Sequence, residues 1–87
     1  MKQAALKTLQ QIPGVGLKLA QAFCNIGLHS VRDLKDQDPE VLYQRLCDFE
    51  GGHVDRCVLY VFRCTVYYAS NTDHDPDLLK WWNWKDD

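Results

Sequence analysis

Pro13-Gly14-Val15-Gly16, followed by Lys18, is the stretch of this 87-residue sequence with the clearest chemical use. Glycines reach backbone angles that other residues avoid and leave no side chain over a turn. The peptide N–H groups at the start of the helix that follows are therefore expected to be open. First-turn amides carry a partial positive charge and suit an anion, phosphate above all. Lys18 adds a full charge in that turn, and Lys2 and Lys7 thicken the local field. Gly14, Val15, Gly16, Lys18 and Lys7 are thus the expected anion-binding set. Val15 should point inward and lock the turn, and Ala20 is small enough for two helices to cross closely.

A weaker copy appears when the sequence is slid by 37 positions. Leu6 then falls on Tyr43, Leu9 on Leu46, Ile12 on Phe49, Gly14 on Gly51 and Ala20 on Cys57, which suggests a duplicated unit. Gly51, Gly52 and His53 become a second anion-contacting set. There His53 replaces Gly16 and Asp55 replaces Lys18. A carboxylate in the first turn repels phosphate, and Arg56 offsets it only in part. This second turn reads as structural or as a weak binder.

Other residues offer competing chemistry. Cys47, His53, Cys57 and Cys64 are metal-ligating types, but no C-x-x-C pair is present. Cys57 and Cys64 fall on an apolar stripe, where cysteine acts as a small hydrophobe. No metal and no other cofactor is expected. His53 four residues before Cys57 could serve a thiol nucleophile, but nothing in the sequence orients the histidine, and no enzyme is expected. Trp81, Trp82 and Trp84 could stack on bases. Their acidic neighbours Asp77, Asp86 and Asp87 favour instead a covering role over an open core face. Arg56 and Arg63, seven apart on one helix face, are expected to pair in solvent with Asp55, Glu50 or Asp48.

The elements that must position these residues are helical. Ala5, Leu6, Leu9 and Ile12 predict a helix over about 2–11, ended by Pro13. Leu19, Ala20, Phe23 and Cys24 predict a second over about 17–26, with Gly27 as a left-handed stop. Ser30 and Asp33 form a capping box for a short turn through Lys35. Asp38-Pro39 starts a helix carrying Val41, Leu42, Tyr43 and Leu46. After Gly51-Gly52 the longest helix is expected over about 53–69, with Val54, Cys57, Val58, Val61, Thr65 and Tyr68 at three- and four-residue steps. It is apolar around much of its circumference and so central. Asp75-Pro76 opens a last, Trp-rich helix over about 76–84. The fold class is all-α, with five or six short helices.

At 87 residues the chain is one small domain, too short for a nucleotide-binding fold or two independent units. Apolar residues at 46% and charged residues at 25% are ordinary for a soluble globular protein. The net charge of −2 argues against a strongly basic nucleic-acid binder, but it conceals an asymmetry. Residues 1–35 carry five basic residues against one acidic, a net of +4, and residues 36–87 carry a net of −6. A basic half beside an acidic one suits one-sided contact with a polyanion. No stretch has secretory or membrane-spanning character, so a cytoplasmic protein with reduced cysteines is expected.

Leu9-x-x-Ile12-Pro13-Gly14-Val15-Gly16-x-x-x-Ala20 resembles the helix-hairpin-helix motif of DNA-binding and repair proteins. The resemblance implies a grip on one backbone phosphate through hairpin amides, with no base read. Together with Asp38-Pro39-Glu40, Gly51-Gly52-His53-Val54-Asp55-Arg56-Cys57 and Trp81-Trp82-Asn83-Trp84, the sequence is similar over nearly its whole length to the small bacterial pathogenicity locus helix-hairpin-helix family. The expected architecture is a tandem, pseudo-duplicated helix-hairpin-helix domain over residues 1–87. Its first motif spans about 2–26, the connector about 27–36, the degenerate second motif about 39–70 and the terminal helix about 76–84. The expected function is weak, salt-sensitive, sequence-independent DNA binding, with no membrane and no small-molecule substrate. The alternative is a non-enzymatic protein-interaction module on the same fold, its protein partner meeting the Trp-rich end or the acidic half.

Overall fold

Five α-helices and two terminal turns make up the computed structural model, which describes residues 2–86 apart from the Lys2 side chain. The helices are α1 (Lys2–Leu9), α2 (Leu17–Asn25), α3 (Val31–Leu34), α4 (Pro39–Glu50) and α5 (Arg56–Ser70). Two 3-10 turns, Pro76–Leu79 and Trp81–Trp84, follow them. Among the described residues there is no strand, and the chain is all-α.

α1 buries Ala5 and Leu9 and ends at Leu9, earlier than its apolar spacing predicts. Pro13 pushes Ile12 out of helical geometry. The Gln11 and Ile12 amides therefore turn back only three residues, onto the Thr8 and Leu9 carbonyls. Ile12 to Val15 then forms a tight turn in which the Val15 amide donates to the Ile12 carbonyl at 3.1 Å. Pro13 supplies the fixed φ of its first corner. Gly14, at φ +87°, supplies the left-handed angle that a type II turn requires of its second. Val15 is buried beneath the turn and Ala20 is fully buried where α2 packs inward.

Side-chain caps set the later starts. Ser30 accepts from the Asp33 amide, Asp38 from Glu40, Asp55 from Cys57 and Asp75 from Asp77. Asp55 explains why α5 opens at Arg56 rather than near His53: its carboxylate closes the first turn from outside the helix. α5 is central, packing on α3, α4 and both terminal turns. The expected stripe is partly rotated. Leu59, Val61, Phe62, Cys64 and Thr65 are the buried residues, whereas Cys57 lies exposed at the open end of the helix. Phe62 selects that face by stacking on Phe23 of α2 at a centroid distance of 4.9 Å, with both residues wholly inaccessible.

The single terminal helix expected over about 76–84 is instead broken at Lys80, which is extended at φ −93°, ψ 110°. Side chains take the carbonyls that a continuous helix would use. The Leu78 carbonyl accepts from Trp84 Nε1 at 2.8 Å and from Cys64 Sγ at 3.5 Å. The Asp77 carbonyl accepts from Asn83 Nδ2 at 2.7 Å.

Burial corrects the repeat of 37 as well. Ala5 and Leu42 match, as do Leu9 and Leu46, and Gly14 and Gly51 share a positive φ. The register then slips. Ile12 is buried but Phe49 is 56% exposed, and Ala20 is buried but Cys57 is exposed. Glu50 stands where Pro13 would fall, so α4 runs on for a further turn until Gly51 ends it at φ +73°. Beyond the loop the burial recurs at an offset of 39, pairing Ala20 with Leu59 and Phe23 with Phe62.

Candidate functional site

The start of α2 differs from the starts of α3, α4 and α5. Gly16 is its N-cap, in extended geometry, and no side chain bonds the first amides. The Ala20 amide is the first in α2 to find a backbone acceptor, the Gly16 carbonyl at 2.9 Å. The N–H groups of Gly16, Leu17 and Lys18 have no acceptor among the described residues. A Cβ added at Gly16 would meet nothing within 4 Å, so this face of the turn is open. Lys18 is exposed and has no ion-pair partner among the described residues, and the same holds for Lys7 on α1.

The other face of the turn is not bare. A Cβ at Gly14 would lie 3.3 Å from Cδ1 of Trp81, so that indole ring rests against the turn. The Val15 amide closes the turn on Ile12. The amides of Gly51 and Gly52 close the end of α4 on the Cys47 and Asp48 carbonyls at 3.0–3.3 Å. At α5 the anion position is filled from within, since Asp55 accepts from the Cys57 amide at 2.9 Å. That amide bond holds the Asp55 carboxyl below its ordinary range.

Lys18 and His53 do come together, in an open groove between α2 and the α4–α5 loop. Leu19, Ala22, Leu46, Val54 and Val58 line it, together with Glu50 and Asp55. The Tyr43 hydroxyl donates to the Val54 carbonyl and pins this loop to α4. Lys7 and Gly14 lie outside the groove lining. Neither the acidic lining of this groove nor the Trp81 contact was legible from local spacing.

Arg56 and Arg63 take partners other than those their sequence neighbours suggest. Arg56 Nε meets Asp86 Oδ2 at 2.5 Å. Arg63 meets Glu40 Oε1 at 2.7 Å and Asp86 Oδ1 at 3.0 Å, and also donates to the Trp84 carbonyl at 2.7 Å. The two guanidinium groups hold the Asp86 carboxyl below the usual range. Hydrogen bonding to Asp55, first, pushes the Cys57 thiol up, and burial does the same to Cys64. No group of three metal-ligating side chains forms among the described residues. No described helix is long and apolar enough to cross a membrane.

These features define a small all-α domain in which α2, alone among α2–α5, starts without a side-chain cap, with Lys18 exposed in its first turn. The chain matches the pathogenicity locus family over residues 2–87 and belongs to it. It is also 30% identical over 76 residues to the mitomycin resistance protein McrB of Streptomyces lavendulae, an alignment covering 87% of this chain and 69% of that protein. No solved structure matches it.

Proposed function

We propose that this protein is a helix-hairpin-helix domain that binds DNA by its phosphate backbone, without reading bases. The observation that carries this reading is the open start of α2. It alone among α2–α5 has no side-chain cap, so its amides lack the oxygen that Asp55 provides at α5. A phosphate oxygen supplies that missing acceptor, and Lys18 supplies countercharge. The donors in this reading are Gly16, Leu17 and Lys18, with Gly14 and Val15 shaping the turn that presents them. His53 borders the same groove, Gly51 and Gly52 shape the second turn, and Lys7 adds field from α1. The Phe23–Phe62 stack and the recurrence of burial support a tandem arrangement with one binding turn and one self-capped turn. The relative's name speaks of mitomycin resistance and is not the ground for this reading.

Glu50 and Asp55 in the same groove keep affinity low. Few phosphates are neutralised, so log K against log salt should fall with a slope of about −1 to −3. The test is duplex binding across a salt series for the wild type and Lys18→Glu. The variant should lose roughly tenfold in affinity and about one unit of slope. Absence of binding by the wild type at low salt would sink the proposal. No catalytic role is part of this reading. On this reading the protein acts in the cytoplasm, where its four cysteines stay reduced.

A second reading, a protein-interaction module, is favoured by Val41 and Phe49. Both are more than half exposed on one side of α4. A shift in sedimentation on mixing with a captured partner, abolished by Phe49→Ser, would support it.

A further inference from the structure

We infer that Trp82 is a stacking seat for an unpaired nucleobase, and that single-stranded DNA is the preferred ligand class of the α2 phosphate site. This rests on the DNA-binding reading above and adds to it the form of DNA and the residue that selects it. The three tryptophans have separate employments. Trp84 donates its N–H to the Leu78 carbonyl and packs on Tyr67 at 5.6 Å. Trp81 packs into the core and against Gly14. Trp82 remains 51% exposed, with no hydrogen bond among the described residues, so covering the core does not account for it.

Its ring is nevertheless held in place. Trp82 meets Trp81 edge to face, with centroids 5.7 Å apart and planes at 86°. Trp81 in turn lies against Gly14, the second corner of the turn that precedes the α2 amides. One indole ring therefore joins an exposed aromatic platform to the phosphate-binding turn.

Two of the three carboxylates that disfavour a strand in the sequence are paired in the fold; the third, Asp87, lies outside the described residues. Asp77 pairs with Lys80 at 3.6 Å, and Asp86 is shared by Arg56 and Arg63. Lys85 has no acidic partner among the described residues. A base in a duplex hides both faces in its own stack, whereas an unpaired base offers one to an aromatic ring. A phosphate grip whose turn is linked through Trp81 to an exposed ring thus gains from a single strand what the interior of a duplex cannot give.

The test compares a thymidine oligonucleotide of about ten residues with a blunt duplex of the same length. All three tryptophans lie between residues 81 and 84, so intrinsic fluorescence reports on this corner alone. The single strand should quench it. Trp82→Ala should weaken single-strand binding about tenfold and leave duplex binding within about twofold, with Trp82→Phe retaining most of the affinity. Circular dichroism and urea midpoints matching the wild type establish that the exposed substitution leaves the fold intact. Unchanged single-strand affinity in Trp82→Ala, or equal losses on both probes, overturns the inference. Lys18→Glu separates the two claims. If it weakens both probes while Trp82→Ala weakens neither, the phosphate site stands and the stacking seat falls. If it weakens neither, the phosphate reading fails and the inference built on it falls too.

Discussion

A single methyl group added at either glycine of the first turn should have opposite consequences. At Gly14 it meets Trp81 at 3.3 Å and must adopt φ +87°, so Gly14→Ala should destabilise the domain by about 1–2 kcal/mol in urea unfolding. At Gly16 the backbone is extended and the space open. Gly16→Ala should stay within about 0.5 kcal/mol of the wild type. The sequence marks both glycines as parts of one turn, but it cannot say which is packed, because the packing partner comes from the far end of the chain. Charge at this scale is equally local in its effect. Glu50 lines the same groove as Lys18, so Glu50→Gln should raise DNA affinity roughly two- to threefold at low salt. A salt series checks this, since the gain should fade as screening grows.

Among the elements, α5 and the terminal turns act as one unit, tied at Arg63. Its guanidinium bonds the Trp84 carbonyl, Glu40 and Asp86, joining α4, α5 and the tail. Arg63→Ala should cost about 1–2 kcal/mol after allowance for the exposed carboxylate partners, and should shift tryptophan emission to the red. Acid should act on the same tie. The Asp86 carboxyl is held below its ordinary value in the folded chain by Arg56 and Arg63. Its contribution to stability is therefore present above the unfolded value of about 4 and lost as pH falls through the folded one. Tryptophan emission followed from pH 7 downward should stay level until about pH 4 and then change. In Asp86→Asn that acid-side change should shrink, and emission at neutral pH should already resemble the acid form. None of these pairs follows from helical spacing, since Arg56 and Arg63 were matched in sequence to Asp48, Glu50 and Asp55 nearby.

For the whole molecule, the Phe23–Phe62 stack joins the two halves. Phe62→Ala should cost about 3–5 kcal/mol, a loss that a domain this small can hardly absorb. Thermal melts followed by circular dichroism should show little or no cooperative transition left. The helices themselves were readable. Pro13, Gly27, Ser30, Asp38, Gly51 and Asp75 announce starts and stops through rules that act within a turn of helix. What was misread needed more than one segment. The repeat of 37 matches at Leu42, Leu46 and Gly51 but fails at Phe49, and beyond Gly51 burial recurs at 39, because only the length of α4 in the fold shows the extra turn that Glu50 in place of Pro13 permits. The terminal helix became two turns: Cys64 of α5 and the Trp84 indole bond the Leu78 carbonyl, and Asn83 bonds that of Asp77, in place of a continuous backbone ladder.

By itself, then, the amino-acid order determined the all-α class, the caps at Ser30, Asp38 and Asp75, and a bare glycine start to α2 with a lysine beside it. Each depends on interactions spanning four residues or fewer, which the chain carries wherever it goes. Tertiary structure alone decided that Trp81 rests on Gly14, that Glu50 and Asp55 share a groove with Lys18, and that Asp86 is paired with two arginines. Those contacts join segments distant in sequence, and they exist only once burial of the Phe23–Phe62 core has brought the two halves and the tail onto one surface.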